Sequence, residues 1–163
     1  ILPLLAVLGG NLGDVIREAY HRRPDDLDRA RWQFETRVAR WTQYAQRYDL
    51  MSLLMAYEIP SGLKGVSNET VIDLVFEQLR TLDSGWVVDI GDGTQILYVL
   101  MPLTPERGAT AYRERMTRLL QERFGLVADE SGIVFHQRVV DGKRSASALL
   151  ASIRMQVEGD GSD

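Results

Sequence analysis

The sequence predicts an α+β domain in which helices pack on a central, mainly antiparallel sheet. A connector helix precedes that sheet. One apolar run, at residues 50–59, is continuous, as in a strand that is covered on both faces. Two further apolar runs flank a short Asp-Gly turn and predict a β-hairpin. Helical periodicity recurs between these strands, and this mixture favours a sheet with helices packed against it.

The composition is that of one globular domain. The chain has 163 residues, of which 45% are hydrophobic and 26% charged, enough to form one core. A net charge of -4 argues against binding a nucleic acid polymer or an anionic lipid surface, but it leaves room for a basic pocket that binds one small anion. The absence of cysteine excludes thiolate metal sites, and two histidines are too few for a typical zinc site.

Two helices are expected before the sheet. Apolar residues at spacings of three and four predict an amphipathic helix within residues 1–24, which we assign to the end of an upstream domain. Pro24 then ends this helix and helps to start the next, the connector helix at 25–48. The connector has an apolar seam with nearly heptad spacing: Leu27, Ala30, Phe34, Val38, Trp41, Ala45 and Tyr48. The seam either packs on its own domain or pairs with a neighbour, and in the second case it supports self-association.

The first strand of the sheet is the apolar run at 50–59, which ends before Pro60. Ser67 or Asn68 can cap the next helix, where apolar residues follow the i, i+3, i+4, i+7 pattern. The hairpin strands are expected at about 86–90 and 95–101.

Three more elements follow the hairpin. Pro105 opens a helix with an apolar inner face, which consists of Tyr112, Met116, Leu119 and Leu120. Residues 132–140 are expected to form a fourth strand, and "SASALLASIRM" a closing helix. We predict a disordered tail at 159–163.

This order of elements, with a Gly-Asp turn that leads into "LYVLMP", resembles the GGDEF domain of diguanylate cyclases over about residues 29–142. The resemblance implies a central sheet of the nucleotidyl cyclase palm type within residues 49–158. In that family a Gly-Gly-Asp/Glu-Glu-Phe turn holds the nucleotide, and its third-position acid binds a catalytic metal. Here the turn is 91–95, and its third and fourth positions are Gly93 and Thr94.

A second metal-binding position of the family also differs. The family has an Asp at the end of the first strand, whereas this chain has Tyr57 and Glu58. Magnesium in phosphoryl transfer requires carboxylate oxygens at fixed positions, so we expect no enzyme activity, no catalytic residue, no metal and no cofactor. An improvised metal site formed by Asp92 and Glu58 is the remaining alternative.

The resemblance also implies a regulatory site. Cyclases of this family bind cyclic di-GMP through an Arg-x-x-Asp motif shortly before the turn, and "RTLD", Arg80 to Asp83, stands at that place. The same motif occurs at 22–25, 23–26 and 138–141, so its position before the hairpin is what selects this copy. Alternatively, Arg80 interacts with the carboxyl end of its helix and pairs with Asp83 on the surface.

The chemistry of these side chains suits the dinucleotide. An arginine binds phosphate or guanine with two N–H groups, and an ionised Asp accepts from the N1–H and N2–H of guanine. Two phosphates require more positive charge, and Arg115 and Arg118 lie on one flank of the helix that follows Pro105. Arg118 or Arg113 could replace Arg115 as the second arginine of the site, and a solvated helix face is the alternative for all three.

This layout resembles the PelD family, inner-membrane cyclic di-GMP receptors of Pel polysaccharide export with a degenerate GGDEF domain. The resemblance implies a cytoplasmic receptor domain that regulates exopolysaccharide biosynthesis and export, with the components of that complex as partners. Residues 1–24 would then be the last helix of a GAF domain, and 25–48 the connector into the receptor domain. A degenerate GGDEF domain without ligand, which dimerises or binds another protein, is the alternative.

Overall fold

The computed structural model describes residues 24–160, in which four strands form one sheet with helices on both faces. The predicted strands and the long helices predicted after residue 24 are present, and a short helix that was not predicted, α4, precedes the last strand. The assignment of residues 1–24 concerns residues outside the described range, except for Pro24. In chain order the elements are α1 (Pro24–Tyr48), β1 (Ser52–Ile59), α2 (Asn68–Glu77), β2 (Ser84–Asp89), β3 (Gln95–Met101), α3 (Glu106–Phe124), α4 (Ala128–Ser131), β4 (Val134–Val140) and α5 (Ala146–Asp160).

The sheet has the order β2-β3-β1-β4, and every neighbouring pair is antiparallel. Strand β1 is central: Leu53 lies opposite Met101 of β3 and opposite Val139 of β4. Seven of its eight residues are buried, because helices cover the sheet on both sides. The predicted buried central strand and the antiparallel sheet are therefore confirmed.

Successive residues of β1 point into two separate apolar layers. Helices α2 and α3 cover the first layer, which includes Leu53, Met55, Tyr57, Val75, Phe76, Tyr112 and Met116. Helices α1 and α5 cover the second layer, which includes Phe34, Val38, Leu54, Ala56, Tyr98, Leu149 and Ile153. The candidate site lies at the edge of the first layer.

The seam of α1 packs on its own domain. Phe34 and Val38 are fully buried, and the Phe34 ring lies 5.7 Å from that of Trp86 on β2. The interpretation in which the seam is intramolecular is therefore confirmed, and these residues are not available to a partner. Only the ends, Leu27 and Tyr48, are exposed. Self-association stays a prediction and would require another surface.

The last helix, α5, ends at Asp160, so residues 159 and 160 of the predicted disordered tail are helical. The rest of that tail lies outside the described residues. Between residues 24 and 160, no helix is long and apolar enough to cross a membrane.

Candidate functional site

Arg80 and Asp83 close a tight connection between α2 and β2. The backbone N–H of Asp83 donates to the carbonyl oxygen of Arg80 at 3.0 Å. In return, the Asp83 carboxylate accepts from the Arg80 backbone N–H at 2.8 Å and from its Nη2 at 3.1 Å. The motif is thus a closed hydrogen-bonded unit, in which both the backbone and the side chain of Arg80 are held.

The two side chains differ sharply in exposure. The Arg80 side chain is 56% exposed, whereas that of Asp83 is 3% exposed. The alternative that the two form a surface pair is therefore wrong for Asp83. A buried carboxylate requires hydrogen bonds to offset the loss of water, and Arg80 supplies them.

A second group of contacts ties Arg80 to the loop between β3 and α3. Its Nη2 donates to the carbonyl oxygen of Pro102 at 3.1 Å and to Oγ1 of Thr104 at 2.6 Å. Leu103, between them, has a φ of 57° and donates its backbone N–H to Ser52 Oγ. The loop is thus tied both to Arg80 and to the start of β1.

A pocket of about 510 Å³ opens beside this motif, and all four predicted ligand-binding residues line it: Arg80, Asp83, Arg115 and Arg118. Three guanidinium groups and one carboxylate give the lining a net positive charge, although the whole chain is acidic. The volume is in the usual range for small-molecule sites. The chemistry of the pocket therefore suits an anion that also has apolar or aromatic surface.

The three candidate arginines of α3, at 113, 115 and 118, differ in whether they line the pocket. The guanidinium of Arg115 lies 5.5 Å from the centre of the Tyr112 ring, and neither Arg115 nor Arg118 forms a salt bridge with a side chain that the structure describes. Arg113 instead lies over Phe135 and donates to Gln137, away from the pocket. The pocket thus includes Arg115 and Arg118. It does not include Arg113, which the sequence allows as an alternative to Arg115.

Two tyrosines form a hydrogen-bonded pair where the pocket meets the core. The hydroxyls of Tyr57 and Tyr112 are bonded to each other, and Tyr57 is fully buried. Burial raises the pKa of Tyr112 to about 12, with a smaller rise from the nearby Asp83 carboxylate. Burial and the proximity of Tyr112 raise the pKa of Tyr57 well above its usual value. Both hydroxyls are therefore neutral at physiological pH.

The hairpin turn has a conformation that restricts which residues it accepts. Gly91, Asp92 and Gly93 all have positive φ, at 99°, 49° and 85°. The Asp92 carboxylate accepts from the backbone N–H of Thr94 at 3.3 Å. A Cβ atom on Gly93 would lie 2.8 Å from the Cβ of Ser61. The turn thus leaves no space for a side chain at the position where the cyclase family has its metal-binding acid.

The two carboxylates of the alternative metal site have different partners. Glu58 contacts His136 at 3.3 Å, whereas Asp92 bonds within its own turn. Among the side chains that the structure describes, no cluster of three or more histidine, aspartate or glutamate residues could hold a metal ion. The geometry gives no support to that alternative.

Sequence reasoning missed Leu103 and Thr104 as parts of this pocket, and the Pro102 carbonyl as a hydrogen-bond partner of Arg80. A threonine before a helix-opening proline is a recognisable local signal, and it suggests a capping residue. Its bond to Arg80, however, joins residues 24 positions apart. Local periodicity does not reveal such a contact.

Comparison with known proteins identifies a family. The family model described as "PelD GGDEF domain" matches residues 30–155. No protein with a curated description matches the chain.

Solved structures of PelD from Pseudomonas aeruginosa are similar to this chain. The PAO1 protein in complex with cyclic di-GMP is 28% identical, with a TM-score of 0.61 over 72% of this chain and 41% of that chain. The PA14 protein in complex with cyclic di-GMP is also 28% identical, with a TM-score of 0.63 over 72% and 42% of the two chains. A second crystal structure of the PAO1 protein is 26% identical, with a TM-score of 0.62 over 75% of this chain and 44% of that chain. The chain thus spans about two fifths of the length of these structures.

Proposed function

Because the chain belongs to the PelD GGDEF domain family, we propose that it is a receptor domain for cyclic di-GMP and that Arg80, Asp83, Arg115 and Arg118 bind the dinucleotide. The main support is that all four side chains line one pocket. Two PelD structures in complex with cyclic di-GMP, similar to this chain in fold and sequence, give independent support.

Each residue has a role that follows from its environment. Arg115 and Arg118 have no salt-bridge partner among the described residues, so their charges are available to the two phosphates. Arg80 binds phosphate or a guanine oxygen with the N–H groups that the protein leaves unused. Asp83 lines the pocket and can accept from a guanine edge, but its main task is to hold Arg80, which already donates to both of its oxygens.

We also propose that the domain is not a cyclase and uses no metal or cofactor. Gly93 and Thr94 offer no carboxylate to magnesium, and the positive φ at Gly93 and the proximity of Ser61 disfavour any larger residue there. Loss of the catalytic positions with retention of the Arg-x-x-Asp pocket is the arrangement expected of a receptor.

The proposal for the cellular location, the regulated process and the protein partners rests on membership of the family. We propose that this is the cytoplasmic domain of an inner-membrane protein that regulates synthesis and export of a Pel-like biofilm exopolysaccharide together with the components of that complex. In the same proposal, residues 1–24 end a GAF domain, 25–48 form the connector, and 49–158 form the degenerate GGDEF domain.

Titration with cyclic di-GMP, the linear dinucleotide pGpG and GTP, each with and without magnesium, tests this function. A receptor binds cyclic di-GMP more tightly than the other two, does not require the metal, and forms no cyclic di-GMP from GTP. Formation of product above a control without protein would show a cyclase. A folded domain that binds none of the three would favour the alternative, a ligand-free module that dimerises or binds another protein.

A further inference from the structure

We propose that Thr104 is a positioning residue of the cyclic di-GMP site: its hydroxyl fixes the Arg80 guanidinium so that Nη1 faces the ligand. This inference rests on the receptor function proposed above and adds a residue outside the Arg-x-x-Asp motif. Three polar atoms form the basis for it, namely Arg80 Nη2, Thr104 Oγ1 and the carbonyl oxygen of Pro102.

These three atoms form a closed triangle of hydrogen bonds. Arg80 Nη2 donates to Thr104 Oγ1 at 2.6 Å and to the Pro102 carbonyl at 3.1 Å. The Thr104 hydroxyl in turn donates to the same carbonyl at 3.3 Å. Thr104 thus accepts from a cation and donates to a backbone oxygen, a role that a hydroxyl can fill and a methyl group cannot.

The donors of Arg80 show what remains for a ligand. A guanidinium has five N–H groups. Nε donates to the Asp83 carboxylate, and Nη2 donates to Asp83, Pro102 and Thr104. Nη1 donates to no group in the part of the chain that the structure describes. The protein therefore uses one side of the guanidinium and leaves the two N–H groups of Nη1 for an anion or a guanine oxygen.

The position of Thr104 is itself fixed. Its methyl group lies against the first turn of α3, because a Cβ on Gly108 would be only 3.2 Å from Thr104 Cγ2. Asp83 holds Arg80 from the α2 side and Thr104 holds it from the α3 side. A half-exposed arginine loses considerable rotamer freedom when a ligand fixes it, so fixing it beforehand improves affinity.

The test compares three variants at one position by calorimetric titration with cyclic di-GMP. Thr104→Val keeps the shape of the side chain and removes the hydroxyl, and it should weaken binding about five- to tenfold without lowering the thermal unfolding temperature by more than a few degrees. Thr104→Ser restores the hydroxyl and should recover most of the affinity. Thr104→Ala provides a second hydroxyl-free variant if the valine protein does not fold.

The double variant separates positioning from a direct contact. In the Arg80→Ala background, Thr104→Val should have no further effect, because there is no guanidinium left to hold. Equal affinity of wild type and Thr104→Val, or an effect of Thr104→Val that persists without Arg80, would overturn the positioning role while the receptor function stands. Absence of binding by the wild type would overturn both.

Discussion

Asp83 and Arg115 line the same pocket but differ in burial, so their substitutions should differ in effect. Asp83 is 2% exposed and accepts from the backbone N–H of Arg80, whereas Arg115 is exposed and its guanidinium lies over the Tyr112 ring. Asp83→Ala should lower the free energy of unfolding by about 1 to 3 kcal/mol and also weaken ligand binding. Arg115→Ala should weaken binding with a change of about 0.5 kcal/mol or less in stability.

Urea unfolding followed by circular dichroism, with calorimetric titration of the same samples, measures both effects. An Asp83→Ala protein as stable as wild type would contradict the assigned role of Asp83 as the group that holds Arg80. The burial of Asp83 was not predictable from the sequence, since an acidic residue in a polar "RTLD" segment is usually exposed.

The tyrosine pair predicts a loss of stability in alkali. The pKa of Tyr112 in the folded protein is about 12, against 10.0 in the unfolded chain, so the unfolded state releases its proton first. The contribution is fully present below pH 10 and is lost as the pH rises through the folded value of about 12. The free energy of unfolding should fall by about 2 to 3 kcal/mol for this group over that range.

Denaturant unfolding between pH 8 and pH 11, for wild type and Tyr112→Phe, measures this effect. The phenylalanine protein should be less stable at pH 8, because the buried Tyr57 hydroxyl loses its partner, but its stability should fall less steeply above pH 10. The same slope in both proteins would contradict the assignment.

The conformation of the hairpin turn determines whether Gly93 can be replaced by the acidic residue that binds metal in the cyclase family. Gly93 has a φ of 85°, and an added Cβ would approach Ser61 to 2.8 Å. Gly93→Asp should therefore destabilise the protein by about 1 to 3 kcal/mol and should not produce cyclic di-GMP from GTP. Gly62→Asp is the matched control, because Gly62 also has positive φ but has free space around it.

The difference in unfolding free energy between these two variants isolates the collision with Ser61 from the cost of positive φ. If the two proteins are equally stable, there is no collision. If Gly93→Asp produces cyclic di-GMP, the turn is able to bind metal after all.

Helix α1 gives a prediction about what its seam contacts. Val38 is fully buried under the sheet, whereas Trp32 on the same helix is 66% exposed. Val38→Asp should lower the free energy of unfolding by about 4 kcal/mol or more, because it buries an unpaired charge. Trp32→Asp should leave the fold intact. Thermal unfolding measures both, and a stable Val38→Asp protein would contradict the observed packing.

At the scale of the elements, periodicity predicted the strands and long helices because their apolar residues recur with a clear period. The same seam of α1, however, suits either a coiled coil or packing on a sheet, and spacing alone does not tell what covers it. Helix α4 has four residues, too few to show a helical period. Both the surface that covers the α1 seam and the presence of α4 therefore depend on tertiary packing, which local sequence patterns do not show.

The molecule as a whole combines an acidic chain with a basic pocket. Its net charge is -4, yet three arginines and one aspartate line the pocket. Arg115 and Arg118 were predicted because helical spacing places them on one flank, and the structure places both at the pocket. The third partner of Arg80, Thr104, could not be predicted because tertiary packing brings its loop to the motif.

Calorimetric titration of cyclic di-GMP into wild type, Arg115→Ala and Arg138→Ala tests most directly whether this pocket is the receptor site. Arg138 belongs to a second Arg-x-x-Asp sequence, but it bonds Ser152 and the Gln137 carbonyl and does not line the pocket. Wild type and Arg138→Ala should bind equally, and Arg115→Ala should bind roughly ten- to a hundredfold more weakly. No heat from wild type at roughly 50 μM ligand, or an equal loss in both variants, would contradict the assignment of this pocket as the cyclic di-GMP site.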